Sequence, residues 1–358
     1  MKKETLVDLS LLALCAALLI CLGSGVFFNL TNDFSEEENR PLSSFPRIGE
    51  DSIIEGDFFK GLGDFYSDRI SFRLKLVRLK GICELTLGKR ENNGVLFVDG
   101  NTLVQRCEYN STSLLEKNLN AINAEKVTLV TVPRSIDVYF QSEDTERIRN
   151  MAFSYSPDGE ELYRRLCTAD KQDLQVYYKT DHHLDYDGAY ELYTVLCDSL
   201  GVTPYKKEDF EAECVSGDFL GTSYSKGGAL GTETDSIFLP RYNGDTKFDI
   251  ECLDSGCMLA SLYERSFLTK KDKYSVFLGG NHGTLTVKST AEQDRPRLLL
   301  IKDSFANAVI PMLARHFDIT VRDPRYDASP ISCEYDAALV VCGIDTLATT
   351  PFSFSIKQ

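Results

Sequence analysis

The chain has 358 residues, 43% of them hydrophobic, which excludes general disorder and suffices for one large α/β domain, or one domain plus a small appendage, with a sizeable core. Thirty-nine basic residues against 54 acidic ones give a net charge of −15, and no basic patch with interleaved aromatics breaks that balance, so nucleic acid is excluded as a partner. The 11 cysteines include no CxxC pair or Cys/His cluster at zinc-ligand spacing, and Cys197 and Cys342 sit among apolar residues as small hydrophobes.

Leu9 to Phe28 carries no charge over 20 residues, about the length that crosses a bilayer's hydrocarbon core, and predicts an N-terminal transmembrane helix. Lys2 and Lys3 precede it, while Asp33, Glu36, Glu37 and Glu38 follow, a pattern that keeps the N-terminus cytoplasmic and places the rest outside the cell. A cleaved signal peptide is the alternative, with Gly23, Ser24 and Gly25 as small residues, but the stretch exceeds a usual signal core and lacks an A-x-A site. This divides the chain into a membrane anchor (1–30), a polar tether (31–51) and an α/β domain (52–358). Phe58, Phe59, Leu62, Phe65 and Tyr66, then Ile70 to Leu79, recur at helical spacing and predict one or two amphipathic helices whose aromatics pack on the core. A strand over Gly94–Gly100 and a helix over Ser113–Glu125 come next. Asn29-Leu30-Thr31 and Asn110-Ser111-Thr112 match the glycosylation sequon, which matters only in a eukaryotic secretory setting.

Short apolar runs follow at Val127–Val132, Leu174–Tyr178, Ser275–Leu278, Leu298–Ile301, Ile319–Val321 and Ala337–Val341. With helices over Asp187–Leu200 and Phe305–His316, they predict a buried, doubly wound parallel sheet. Residues 204–269 break the pattern with Gly217, Gly221, Gly227, Gly228 and Gly231 and short strands such as Ser236–Leu239, an insertion placed to cover a site.

Two motifs carry chemistry, Thr180-Asp181-His182-His183 and Lys302-Asp303-Ser304-Phe305-Ala306-Asn307. Each stands where an apolar run gives way to a polar turn and a helix, the place where doubly wound α/β proteins assemble sites. Ser304 is a candidate nucleophile beside helix N-terminal N–H groups; the alternative is a plain N-cap, a task Asp303 can also perform. His183 is a candidate general base oriented by Asp181; alternatively Asp181, Asp185 or Asp187 caps the helix and the histidines are solvated. Asp181, His182, His183 and Asp185 also offer zinc ligands, although neighbouring histidines on a turn rarely converge, so no metal is assigned. Asn281, after Gly279-Gly280, is a candidate oxyanion or substrate donor; the alternative is an ordinary Gly/Asn turn. Arg325 joins it as a secondary candidate, with Lys302 and Arg134, although such residues are more often solvated.

Taken together, Glu38-Asn39-Arg40-Pro41-Leu42, Asp68-Arg69, Asp181-His182-His183, Gly280-Asn281-His282, Lys302-Asp303-Ser304 and Asp323-Pro324-Arg325-Tyr326 resemble the DHHW family of bacterial extracytoplasmic proteins. That family is similar to the alginate O-acetyltransferase group of SGNH-hydrolase-like enzymes. The resemblance implies a circularly permuted SGNH-like fold, with Asp181, His183 and Ser304 as catalytic residues. It also implies an acyl group, most readily acetyl, moved onto or off a cell-surface polysaccharide, with a membrane-bound O-acyltransferase as the partner that hands over the acetyl group. No cofactor is expected, because no phosphate-cradling glycine motif follows a strand. Two positions depart from the pattern: Leu184 replaces the tryptophan that closes the name-giving motif, which removes an aromatic platform for sugar, and Lys302 replaces the glycine of a Gly-Asp-Ser block. A polysaccharide acetyl esterase and a non-catalytic assembly or carbohydrate-binding protein are the alternatives.

Overall fold

A computed structural model describes residues 3–31, 33–35, 40–98, 102–106, 112–140, 142–228 and 232–357, with the backbone alone at 3–10, 22, 27, 28, 40 and 50. Lys2, Glu36, Glu37, Glu38, Asn39, Asp99, Gly100, Cys107, Asn110, Ser111 and Gly231 lie outside the described residues. Contacts separate two compact units, residues 1–92 with 225–230, and residues 93–224 with 231–358.

In the first unit a helix spans Lys3–Phe28, covering the predicted apolar stretch. Leu11, Leu12, Leu14, Leu18, Leu19 and Ile20 all stay more than half exposed along it. Among the described residues, no helix is long and apolar enough to cross a membrane. The two amphipathic helices are Asp57–Arg69 and Arg73–Thr86. Contrary to expectation, most of their aromatics are not core: Phe65 is buried, but Phe59, Tyr66 and Phe72 are exposed. Asp68 and Arg69 instead hold the segment that reads as a tether, the Asp68 carboxylate accepting the Ser43 N–H at 2.8 Å and Arg69 Nη1 donating to Ser43 O at 2.7 Å. Arg69 is itself 2% exposed and stacked over the Phe65 ring at 4.0 Å.

The second unit is built on a seven-stranded sheet whose strands are β1 (Thr128–Val132), β2 (Phe248–Cys252), β3 (Cys257–Leu259), β4 (Thr284–Ser289), β5 (Arg297–Lys302), β6 (Asp318–Arg322) and β7 (Ala337–Gly343), in the order β3-β2-β4-β6-β5-β7-β1. β6, β5, β7 and β1 run parallel, and β4, β2 and β3 add on antiparallel. The sheet is therefore mixed, and the all-parallel expectation is corrected at one edge. Part of residues 204–269 does not lie apart as an insertion, since β2 and β3 belong to the sheet itself.

Alternation decides which residue faces which layer, because successive strand side chains point to opposite faces. Val130, Leu298, Leu300, Val321 and Val341 pack with Leu162, Leu166, Leu192, Leu196 and Ile310, from helices including Pro157–Asp170 and Tyr186–Ser199. Leu129, Leu299, Ile301 and Val340 pack on the other face with Leu115, Leu119, Ile122, Ile148 and Leu347. Both faces are thus covered by helices, as the unbroken apolar runs require.

Two predicted strands are not strands. Leu174–Tyr178 is irregular, with a single bridge between Tyr177 and Leu184, and Lys273–Val276 is a 3-10 turn. Leu174 is exposed, but Val176–Tyr178 and Ser275–Leu278 are buried, and each run makes one antiparallel bridge, Tyr177 with Leu184 and Phe277 with Tyr263, rather than a ladder. The predicted helix Phe305–His316 breaks into a 3-10 turn, Ser304–Ala306, and a short helix, Ile310–Leu313. Pro311 stands near the start of that short helix, where its missing N–H costs nothing.

Candidate active site

β5 ends at Lys302, and the turn that follows is held by Asp303. Its carboxylate accepts the Phe305 N–H at 3.0 Å through Oδ1 and the Gly343 N–H at 2.8 Å through Oδ2, which fastens the turn to the end of β7. Asp303 is the cap of the 3-10 turn, and the Ser304 hydroxyl is left for another partner. That partner is His183, whose Nε2 lies 2.9 Å from Ser304 Oγ. On the other side of the ring, Nδ1 meets Asp181 Oδ1 at 2.6 Å. Asp181 and His183 are 2% and 6% exposed, so the histidine is not solvated, and the helix Tyr186–Ser199 is capped by Asp185 rather than by Asp181.

The Asp181 carboxylate is also held from its second oxygen, which accepts the Thr222 N–H at 2.7 Å and the Thr222 hydroxyl at 2.9 Å. Burial works to raise its pKa, but the imidazoles of His182 and His183 and these hydrogen bonds outweigh it and hold the carboxyl far below the usual carboxylate range. The turn at 179–181 is fixed from the same stretch of chain: Asp235, buried, accepts the Lys179 and Thr180 N–H groups at 2.9 and 2.8 Å. Gly221 packs directly on Asp181, where an added Cβ would come within 2.4 Å of the Asp181 Cβ. Gly221, Thr222 and Asp235, rather than merely covering the site, brace the acid that orients the histidine.

Tyr274 completes the setting. Its ring stacks on His183 with centroids 3.8 Å apart and planes 10° from parallel, and its hydroxyl donates to Ser304 O at 3.2 Å. Tyr274 and Thr222 carry no motif signal in the sequence; a tyrosine in an apolar run reads as core, and a threonine beside Gly221 as turn. His182 Nδ1 pairs with the Thr222 hydroxyl at 2.8 Å, and burial, then His183, lowers its pKa to about 4, leaving the ring neutral at neutral pH. Asp181, His182 and His183 do bring one ligand atom each within 4.8 Å of one another, a closer convergence than expected of adjacent histidines. Both nitrogens of His183 already serve Asp181 and Ser304, so a metal ion there would have to displace one of those bonds.

Asn281 follows a run of left-handed backbone at Leu278, Gly279 and Gly280, with φ of 60°, 73° and 100°. The glycines make that bend accessible, and a Cβ at Gly280 would press on Ser275 Oγ at 3.1 Å. The Asn281 Oδ1 accepts from Lys302 Nζ at 3.3 Å and from Asn307 Nδ2 at 3.2 Å, and Asn307 Oδ1 accepts from Lys302 Nζ at 2.7 Å. This fixes which end of the Asn281 amide is a donor, and the Asn281 NH2 and the Ser304 N–H donate to no described residue. Lys302 is 1% exposed, so the expectation that it is solvated fails; burial lowers its pKa from 10.5 to about 8, with Asp323 opposing. Arg325 is clamped by Asp323 through Nε and Nη2 at 2.9 and 2.7 Å, and Arg134, also buried, by Asp137 at 2.8 and 2.6 Å. Arg325 therefore stands beside Lys302 as part of a charged cluster, while Arg134 is a structural pair. Leu184 is 2% exposed and packs in the core, so the side chain at this position offers no surface to a sugar.

Residues 149–321 match the model of the family described as DHHW protein, which bears out the resemblance seen in the motifs. No curated protein matches the chain. Among solved structures, a DHHW family protein from Eubacterium siraeum is 19% identical, with a TM-score of 0.55 over 72% of this chain and 93% of its own. PatB1 from Bacillus cereus is 16% identical, with a TM-score of 0.57 over 73% of this chain and 99% of its own, and a second structure of it carries a sulfonyl adduct. The O-acetyltransferase domain of Pseudomonas putida AlgJ is 14% identical, with a TM-score of 0.43 over 72% and 92%.

Proposed function

We propose that this chain is a membrane-anchored, extracytoplasmic serine-dependent O-acetyltransferase acting on a cell-surface polysaccharide. The observation that carries the reading is the hydrogen-bonded series Ser304, His183, Asp181, in which the serine is spared from capping by Asp303. In the proposed reaction the Ser304 hydroxyl attacks the acetyl carbonyl while His183 Nε2 takes its proton, and Asp181 holds the imidazole in the tautomer with Nδ1 protonated. Negative charge on the carbonyl oxygen is met by the Ser304 N–H and the Asn281 amide, whose carbonyl end is tied back to Lys302 and Asn307. His183 returns the proton to the leaving group; a sugar hydroxyl then attacks the acyl-serine as His183 takes its proton, and that proton passes to Ser304 Oγ as the serine ester bond breaks.

The acetyl group and the donor, a membrane-bound O-acyltransferase that carries acetyl across the bilayer, are taken from the family resemblance. Anchoring rests on the uncharged stretch Leu9–Phe28 and its flanking charges, together with the exposed leucines along the helix Lys3–Phe28. An acetyl esterase would use the same acyl-serine with water as acceptor. A non-catalytic binding protein is disfavoured, because it leaves unexplained a buried histidine aimed at a serine that caps nothing.

The test uses the full-length chain in detergent with a small activated acetyl ester and a sulfonyl fluoride, a reagent class suggested by the sulfonyl adduct known for PatB1. Turnover of the ester and a mass adduct on Ser304 are expected. An adduct on another residue, or equal labelling of Ser304→Ala, overturns the assignment. Transfer is separated from hydrolysis by supplying polysaccharide and following acetyl onto the polymer against acetate released.

A further inference from the structure

The hairpin at one edge of the central sheet carries two cysteines that the candidate site does not use. β2 and β3 pair antiparallel with Cys252 directly opposite Cys257. Opposed residues of this kind share one face of the sheet with Cβ atoms about 4.5–5.5 Å apart, close to the separation that a disulfide spans. Only the turn 253–256 lies between them, closed by the Gly256 N–H donating to Cys252 O at 2.7 Å. The two thiols stand in different surroundings. Cys252 is fully buried, and burial, then the neighbouring Cys257, pushes its pKa up to about 12. Cys257 is exposed and accepts from the Ser255 hydroxyl at 3.2 Å; that bond, then the Cys252 thiol, lowers its pKa.

We infer that Cys252 and Cys257 form a disulfide site in which exposed Cys257 reacts first with a low-molecular-weight disulfide and buried Cys252 closes the ring. The Cys257 thiolate attacks one sulfur of the small disulfide, forming a mixed S–S bond and releasing one thiolate. Cys252 then gives its proton to solvent and attacks the Cys257 sulfur, displacing the second thiol. Two protein thiols lose two electrons and two protons, and the small disulfide becomes two thiols. The ring encloses the turn whose Asp254 carboxylate accepts the Gly283 N–H at 2.6 Å, two residues from Asn281, so its closure stiffens the support of that loop. The site does not depend on any role for Ser304.

One tryptic peptide, Phe248–Arg265, contains both cysteines and no third. The full-length protein is reduced, exposed to glutathione disulfide, blocked with N-ethylmaleimide and digested. The wild-type peptide is expected to take up no maleimide and to be lighter than the dithiol form by two hydrogen atoms, while Cys252→Ser should retain glutathione on Cys257 because nothing resolves it. The inference is overturned if the wild-type peptide keeps glutathione on Cys257 without closing. It is equally overturned if the peptide carries two maleimides under conditions where the exposed Cys83 and Cys214 have taken up glutathione.

Discussion

Ser304 Oγ lies 2.9 Å from His183 Nε2 although 121 residues separate them in the chain. The contact distinguishes the two adjacent histidines, because His182 turns its Nδ1 to Thr222 instead. His183→Ala should lower hydrolysis of an activated acetyl ester by at least about 100-fold, the lower range for loss of a general base, and His182→Ala by far less. Equal loss in both, with activity removed by a chelator and restored by zinc, would favour metal binding by Asp181, His182 and His183.

Gly221 is the position where a single methyl group should disturb the acid. An added Cβ meets the Asp181 carboxylate and its Cβ at once, so Gly221→Ala should displace the carboxylate from His183 Nδ1. A shift of about 1 Å in such a group costs about 100-fold in rate. The purified variant should melt as a folded protein and lose kcat with little change in KM; full activity would mean that Asp181 need not be held there.

Asn281→Ala removes the amide that Lys302 and Asn307 orient. Loss of one oxyanion donor typically costs about 10²–10³ in kcat, and that range is expected here in steady-state ester hydrolysis. A change confined to KM would move Asn281 from the oxyanion to substrate binding.

Lys302 gives a pH dependence of stability. Its pKa is about 8 in the folded chain against an ordinary 10.5, so between those values the unfolded chain holds more protons and stability rises with pH. Below pH 8 both states are protonated and the contribution is flat. The full rise is on the order of 3 kcal/mol. Denaturant titrations at pH 7.5 and pH 10 should show wild type gaining relative to Lys302→Met; the same change in both proteins would remove Lys302 as its source.

The proposed orientation in the membrane is tested on intact cells. On that proposed orientation, drawn from the lysines before the apolar stretch and the acids after it, added protease should digest the chain beyond Phe28. Protection until lysis would put Ser304 in the cytoplasm and end the polysaccharide proposal.

Much of the second unit could be read directly from residue order. The runs at β1, β5, β6 and β7 carry apolar residues toward both faces because both faces are covered, and the helix Tyr186–Ser199 shows its buried stripe at Ala189, Leu192 and Leu196. Leu174–Tyr178 and Ser275–Leu278 carry the same signal without being strands. An apolar run reports burial, whereas a strand also needs a neighbour to share its hydrogen bonds, and that neighbour is not written in the run.

The motifs by themselves determined which residue types are available for chemistry: a serine after β5, an Asp-x-His turn, and an asparagine after two glycines. Only tertiary structure decided their use. Whether Ser304 caps its own turn or faces His183 depends on Asp303 reaching Gly343, 40 residues away, and on Thr222 holding Asp181 from 41 residues away. Lys302 reads as a solvated cation because charge favours water; it is buried because Asn307, Asn281 and Asp323, brought together from three turns, replace that water with fixed oxygens.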